Sequence, residues 1–190
     1  MPMDDQNNTP VSRGELRRAL REDPSFALAD ELVAWMKASA LPFWAQAGVS
    51  PETGLFYERM NLDGTPDRQS PLRARVQFRQ IYALSHAALI GWYPDGAAVA
   101  LAAWRRLLSA AYGAGGEPGF AHVLDRNGRI ADSRRDTCDH AFAVLAAAWL
   151  FRATRDDEVR QVLGALLAFA DDHLTCANGA LREGVPDHLP

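Results

Sequence analysis

Two stretches of this sequence echo one another, and the echo limits the fold more than any other feature. Gly54 to Gly64 (GLFYERMNLDG) matches Gly119 to Gly128 (GFAHVLDRNG), and Gln77 to Ala87 (QFRQIYALSHA) matches Cys138 to Ala148 (CDHAFAVLAAA), at offsets of 61 to 65 residues. A third unit opens at Asn178 to Gly184 (NGALREG). Each unit reads as a small turn, an apolar helix and an amphipathic helix. In 71–90 the residues Leu72, Val76, Phe78, Ile81, Tyr82, Leu84, Ala88 and Leu89 occupy every side of a helical wheel, and 137–153 is similar. A helix apolar all round is buried all round, and a single repeat of this kind cannot bury its own apolar face. The predicted fold class is therefore all-α: a toroid of helical hairpins with short β-hairpin-like loops. A three-hairpin bundle closed on itself is the alternative.

Local signals set the boundaries. Residues 1–24 read as a loose tail, disordered over 1–12, and 25–190 as one domain. Ser70 and Pro71 make a helix start, with the hydroxyl as N-cap and proline at the first helical position; Gly91 is its C-terminal stop. Asp95 opens the next helix, to Gly113; Asp136 or Thr137 opens another, to Ala153; Asp156 opens the last, to about Leu174. The segments LFYERM (55–60) and FAHVLD (120–125) precede Asp-Gly or Asn-Gly turn signals and predict small strands. In 95–112 and 156–174 charge lies beside an apolar stripe, as expected of outer helices covering inner ones.

Composition excludes several functions. With 190 residues the chain can bury roughly 70% of its unfolded surface. The net charge is −4 with both signs interspersed, so there is no basic stripe for nucleic acid and no polybasic run for a membrane. The run AFAVLAAAWLF (141–151) falls short of the ~20 residues a bilayer span requires. The start has no apolar signal core, and Cys138 and Cys176 read as two reduced thiols. The expected location is cytoplasmic. Two and a half repeats suggest a ring whose other half is missing, which exposes apolar flanks, so association, as a homodimer or less specifically, is also expected.

Histidine spacing shows no metal-ligand cluster, and no phosphate loop appears. Candidate chemistry must then come from polar groups on the apolar helices. Arg79 sits mid-helix, where a guanidinium needs a partner: either a core salt bridge, for instance to Glu58, or a role as a cation aimed into a central cavity. His140 takes the matching place in the second repeat at an offset of 61, so it either bonds a nearby carbonyl or lines the same lumen as Arg79. Asp139 either fixes the histidine tautomer or caps the helix. Arg68, Arg73, Arg75, Arg134 and Arg135 precede the two apolar helices, as solvated loop charge or as a rim for an anionic substrate.

The strings FWAQAGVSPETGLFYERMNLDG (43–64), RVQFRQIYALSHAALIGW (75–92) and DTCDHAFAVLAAAWLFRAT (136–154) resemble the N-terminal half of the N-acylglucosamine 2-epimerase family, over about residues 26–186. The pattern Gln77, Arg79, Tyr82, Ser85 and the Asp139–Phe142 string carry the likeness. The resemblance implies half of an (α/α)6 barrel in a chain about twice as long. It also implies chemistry without metal or cofactor on a small sugar or sugar phosphate. A histidine removes the proton at C2, an enediolate forms, and reprotonation at C1 or C2 makes the enzyme an isomerase or an epimerase. Arg79 matches the family's active-site arginine, and His140 is expected to bind substrate. The family's principal catalytic histidines lie on a third inner helix and later ones, past Pro190, so this chain alone is expected to be inactive. A non-catalytic helical scaffold and a toroidal glycoside hydrolase, which needs two opposed carboxylates, are the other readings.

Overall fold

A computed structural model describes residues 12, 14, 24–116 and 118–185. Most of the expected tail over 1–24 therefore lies outside the described residues. The chain is mostly helical. Helix α1 (Pro24–Trp35) continues through a π-helical turn, Met36–Ala40, into α2 (Leu41–Gln46). Two hairpins follow: α3 (Ala74–Leu89) with α4 (Gly96–Ala111), then α5 (Thr137–Thr154) with α6 (Asp157–Phe169), the last extended by a π turn, Ala170–Leu174.

Side-chain contacts give the directions. Arg75 meets Asp139, Arg79 meets Phe142, and His86 meets Trp149, so α3 and α5 lie side by side and parallel. Phe78 meets Trp104, and Gly96 lies against the Leu84 carbonyl, so α4 runs antiparallel to α3. The core forms where these helices meet the loop at residue 120. Phe78, Trp104 and Phe120 are fully enclosed, with centroid separations of 4.9 to 6.2 Å and inclined rings. That geometry suits the ring quadrupoles.

The ends of these helices have visible causes. Asp136 is the N-cap of α5, its carboxylate accepting from the Asp139 N–H. Asp156 caps α6 by accepting from the N–H groups of Glu158 and Val159. Gly91, at φ 72°, lets the backbone turn back so that Trp92 N–H reaches the Ala87 carbonyl at 2.8 Å. One start differs from expectation. Ser70 caps nothing: its hydroxyl donates to Asp67, and Leu72–Arg73 form strand β1 before the helix begins at Ala74. Strand β1 pairs with β2 (Val123–Leu124), which pairs with β3 (Ile130–Asp132); β4 (Arg135–Asp136) pairs with β5 (Gly184–Val185). The strand expected over 55–60 is reduced to single bridges, Val49 with Phe56 and Met60 with Pro66. Nor are α3 and α5 enclosed on all sides: Arg79 and Leu145 are exposed, while Tyr82, His86, Phe142 and Trp149 are half-buried. Cys138 and Cys176 are both free.

The repeat is present in the structure, in a different register. The bridges Val49–Phe56, Tyr112–Phe120 and Thr175–Leu181 recur at equivalent places. Gln77 bonds the backbone of Phe56, and His140 accepts from the backbone of Phe120. The helix offset is thus that from Gln77 to His140 and from Arg73 to Asp136, two residues longer than the sequence match from Arg79 to His140. The counterpart of Arg79 is Phe142.

Candidate active site at the heads of the parallel helices

Strands β1 and β4 deliver α3 and α5 side by side, so their first turns face one another. Arg75 on α3 donates from Nε to Asp139 Oδ1 at 2.9 Å and approaches Asp136 Oδ1 at 3.5 Å. The second oxygen of Asp139 meets His122 Nδ1 at 2.7 Å. The result is a chain of contacts, Arg75–Asp139–His122, around a carboxylate with no exposed surface. Burial pushes the Asp139 carboxyl above its usual range, while the bond from His122 and the charge of Arg75 pull against it. For Arg75, burial works against the charge, but the Asp139 and Asp136 carboxylates more than offset it and raise its pKa. His122 is 8% exposed, and Nδ1 is its bonded nitrogen among the described residues.

One turn further along α3, the Arg79 guanidinium stacks on Phe142 at 4.3 Å. Glu58, the carboxylate available for a core salt bridge, binds Arg73 instead. Arg79 has no ion pair among the described residues, and it is exposed. Beyond it, the Tyr82 hydroxyl lies 3.3 Å from His86 Nδ1, His86 packs on Trp149 at 4.3 Å, and Arg152 stacks over Trp149 at 4.6 Å. The shared face of the two helices is therefore a strip of aromatic rings and cations. Such a strip can hold a polyhydroxylated ring by stacking and offer a planar cation to a developing oxyanion.

His140 lies elsewhere. It is 1% exposed, between the Phe120 and Phe169 rings. Its Nε2 accepts from the Phe120 N–H at 3.0 Å, which leaves the ring proton on Nδ1 to donate to the Asp136 carbonyl at 2.7 Å. Burial lowers its pKa. Both nitrogens are used inside the chain, so the ring has none left for a substrate. Gly119, at φ 85°, makes the approach feasible, because a Cβ there would sit 2.7 Å from Nε2.

The fold thus brings together Arg75, Asp139 and His122, a grouping the sequence spacing did not show. Of the two roles weighed for Asp139, capping belongs to Asp136, and the histidine it orients is His122. His122 precedes Asp139 by 17 residues, and only the pairing of β2 with β1 carries it to the heads of the helices. His122, Asp136 and Asp139 offer ligand atoms within 4.8 Å of one another, the spacing of a metal site. Arg75 already supplies positive charge to both carboxylates there, which disfavours a cation. The rim arginines are paired: Arg68 with Glu52, Arg73 with Glu58 and Arg134 with Asp132. Arg135 is buried and donates to the carbonyls of Ala114, Pro118 and Ser133.

Comparison with known proteins adds to this geometry. A sequence model described as N-acylglucosamine 2-epimerase (GlcNAc 2-epimerase) matches residues 54–188. A mannose-6-phosphate isomerase of Rhizobium meliloti (strain 1021) is 35% identical over 131 residues, 64% of this chain and 31% of that protein. The cellobiose 2-epimerase of Spirochaeta thermophila DSM 6192 superposes with a TM-score of 0.76 at 25% identity, covering 87% of this chain and 40% of that one. A D-mannose isomerase shares the fold at a TM-score of 0.67 and 16% identity, over 90% of this chain and 44% of its own. The chain spans about a third of the curated relative's length and about 40% of these structures.

Proposed function

The chain belongs to the N-acylglucosamine 2-epimerase family, and from that premise we propose that its parallel helices α3 and α5 form part of the sugar site of a 2-epimerase or aldose–ketose isomerase. The arrangement read here is half of an (α/α)6 barrel, with the strip from Arg79 to Trp149 facing its lumen. The substrate is a mannose-type or N-acylhexosamine sugar, free or 6-phosphorylated. The relatives named as epimerases and as mannose or mannose-6-phosphate isomerases support this range.

The observation that carries the reading is the Arg79 guanidinium, exposed, placed over the Phe142 ring at 4.3 Å and free of any carboxylate among the described residues. A base removes the proton from C2 of the open-chain aldose, the C2 electron pair moves toward C1, and the carbonyl oxygen becomes an enediolate oxyanion. Arg79 stabilises that oxyanion with N–H donors already in place. Proton return to C1, with the O2 proton passing to O1, gives the ketose, and return to C2 from the other face, with the C1 carbonyl reforming, gives the epimer. The additional length of the relatives is where we place the proton-transferring groups. His140 supports the loop at Phe120 rather than the sugar.

The test follows sugars in deuterated water, using a protein of the relatives' full length that contains this sequence. Mannose, glucose, N-acetylmannosamine and their 6-phosphates are compared for label at C1 or C2. Label at C1 of a ketose marks an isomerase, and label at C2 of an aldose marks an epimerase. Arg79→Lys is expected to lower turnover by ~10²–10³-fold with an unchanged melt, because lysine keeps the charge but loses the planar fork. Full activity of that variant would remove Arg79 from the chemistry.

A further inference from the structure

His122 is fixed at the heads of the parallel helices by its backbone as well as by its ring. Its N–H donates to the Asp132 carbonyl at 3.1 Å, and its carbonyl accepts from the N–H of Ala74, the first residue of α3, at 2.9 Å. The ring makes one hydrogen bond, between Nδ1 and Asp139 Oδ2 at 2.7 Å. Asp139 is held in turn: its Oδ1 accepts from Arg75 Nε at 2.9 Å, and its N–H donates to Asp136 Oδ1 at 3.0 Å. A carboxylate bonded to a guanidinium acts on the ring as an acceptor, so the proton of neutral His122 sits on Nδ1 and Nε2 is left as an acceptor. Nε2 has no partner among the described residues and is not enclosed; the side chain as a whole is 11% exposed. His140 differs on this point, since both of its nitrogens are bonded inside the chain. An imidazole oriented through one nitrogen by a supported carboxylate, with the other nitrogen open, is prepared for a ligand atom.

We propose that His122 is a further substrate-binding residue, its Nε2 accepting a hydrogen bond from a sugar hydroxyl, with Asp139 and Arg75 as positioning residues that hold the ring in its Nδ1–H form. That the ligand is a sugar rests on the function proposed above; the state of the ring does not. Arg75 precedes Arg79 by about one helical turn on α3, ~6 Å along the axis. The two groups therefore divide the work along one ligand. Arg79 faces the oxygen that becomes the oxyanion, and His122 takes a hydroxyl nearer the helix heads. A hydroxyl suits such an acceptor because it brings its own proton. A carboxylate or a fully ionised phosphate oxygen brings none, so the phosphate of a 6-phosphorylated sugar is directed away from His122.

The ring is tested in this chain by nitrogen NMR of its histidines in mildly alkaline buffer, the His122 signals being assigned by their loss in His122→Asn. A proton on Nδ1 and none on Nε2 is expected. Asp139→Asn should reverse this: the Asn carbonyl stays on Arg75, its amide N–H faces Nδ1, and the ring proton moves to Nε2. An imidazolium, or a wild-type ring protonated on Nε2, would overturn the proposal. Binding is read in a protein of the relatives' full length that contains this sequence. His122→Asn keeps an N–H near the place of Nδ1 for Asp139 and removes Nε2. It is expected to raise KM for the sugar turned over by about 3- to 10-fold, as loss of one hydrogen bond does, with kcat changed less and the melt unchanged. Asp139→Asn should raise KM too, because a donor then faces the hydroxyl proton. A lower melt and kcat with KM unmoved would mark His122 as structural only and overturn the proposal, as would an unchanged KM in both variants. The epimerase reading survives either result so long as label still enters the sugar. Absence of turnover in the wild type removes that reading, and the sugar ligand of His122 with it.

Discussion

Gln77 meets the backbone of Phe56 with both ends of its amide, whereas His140 meets the backbone of Phe120 with one nitrogen and the Asp136 carbonyl with the other. Equivalent residues thus fasten the loop of each repeat to its inner helix, one with a group that cannot titrate and one with a group that can. Protonating His140 turns Nε2 into a donor facing the Phe120 N–H. Its folded pKa is depressed below 6.5 by burial, so the unfolded chain takes up the proton first. The associated stability is present above about pH 6.5 and is lost as pH falls through the folded value. Denaturant midpoints measured from pH 8 to 5 should fall for the wild type and fall less for His140→Gln, which copies the first repeat. His140→Ala should cost ~1–3 kcal/mol at pH 8 by leaving the Phe120 N–H buried and unpaired. A flat wild-type profile would mean that the ring does not carry this bond. Residue chemistry explains the register as well. Matching Arg79 to His140 aligned two polar side chains, but the repeat is defined by which side chain fastens the backbone, and that partnership is not visible in a string of letters.

At the scale of elements, helix ends were legible because capping is local. Asp136, Asp156 and Gly91 act within a few residues of themselves, and each stands where the sequence placed a boundary. Asp156→Ala should cost about 1 kcal/mol in chemical denaturation, through loss of the acceptor for the Glu158 and Val159 N–H groups. An unchanged midpoint would show that water caps α6 equally well. Strands were less legible for the opposite reason. Leu72 reads as part of a helix from its neighbours, but it pairs with Leu124, far along the chain, and that pairing delays α3 to Ala74. The same pairing brings His122 to Asp139. Arg79 was recognisable as a cation on an apolar helix, and it does have an open face. The Arg75–Asp139–His122 chain depends on three segments meeting, so no spacing rule along one helix could find it.

At the scale of the molecule, part of the exposed apolar surface is gathered on one helix face. On α1, Leu28, Leu32 and Trp35 are 58%, 54% and 56% exposed and recur at one helical face, and on α6 Leu167 is 49% exposed. A face of this spacing normally packs against another element. Single exposed leucines are ordinary, but a contiguous apolar stripe favours association. A second copy of the chain offers apolar surface of the same kind. Sedimentation of this chain at increasing concentration should therefore show dimers or larger species. Replacing Leu32 and Trp35 with lysine should shift it toward monomer without lowering the melting temperature, since neither side chain is in the core. A concentration-independent monomer with a cooperative, high-temperature melt would instead support a bundle that closes on itself, and would remove the half-barrel arrangement from the proposal.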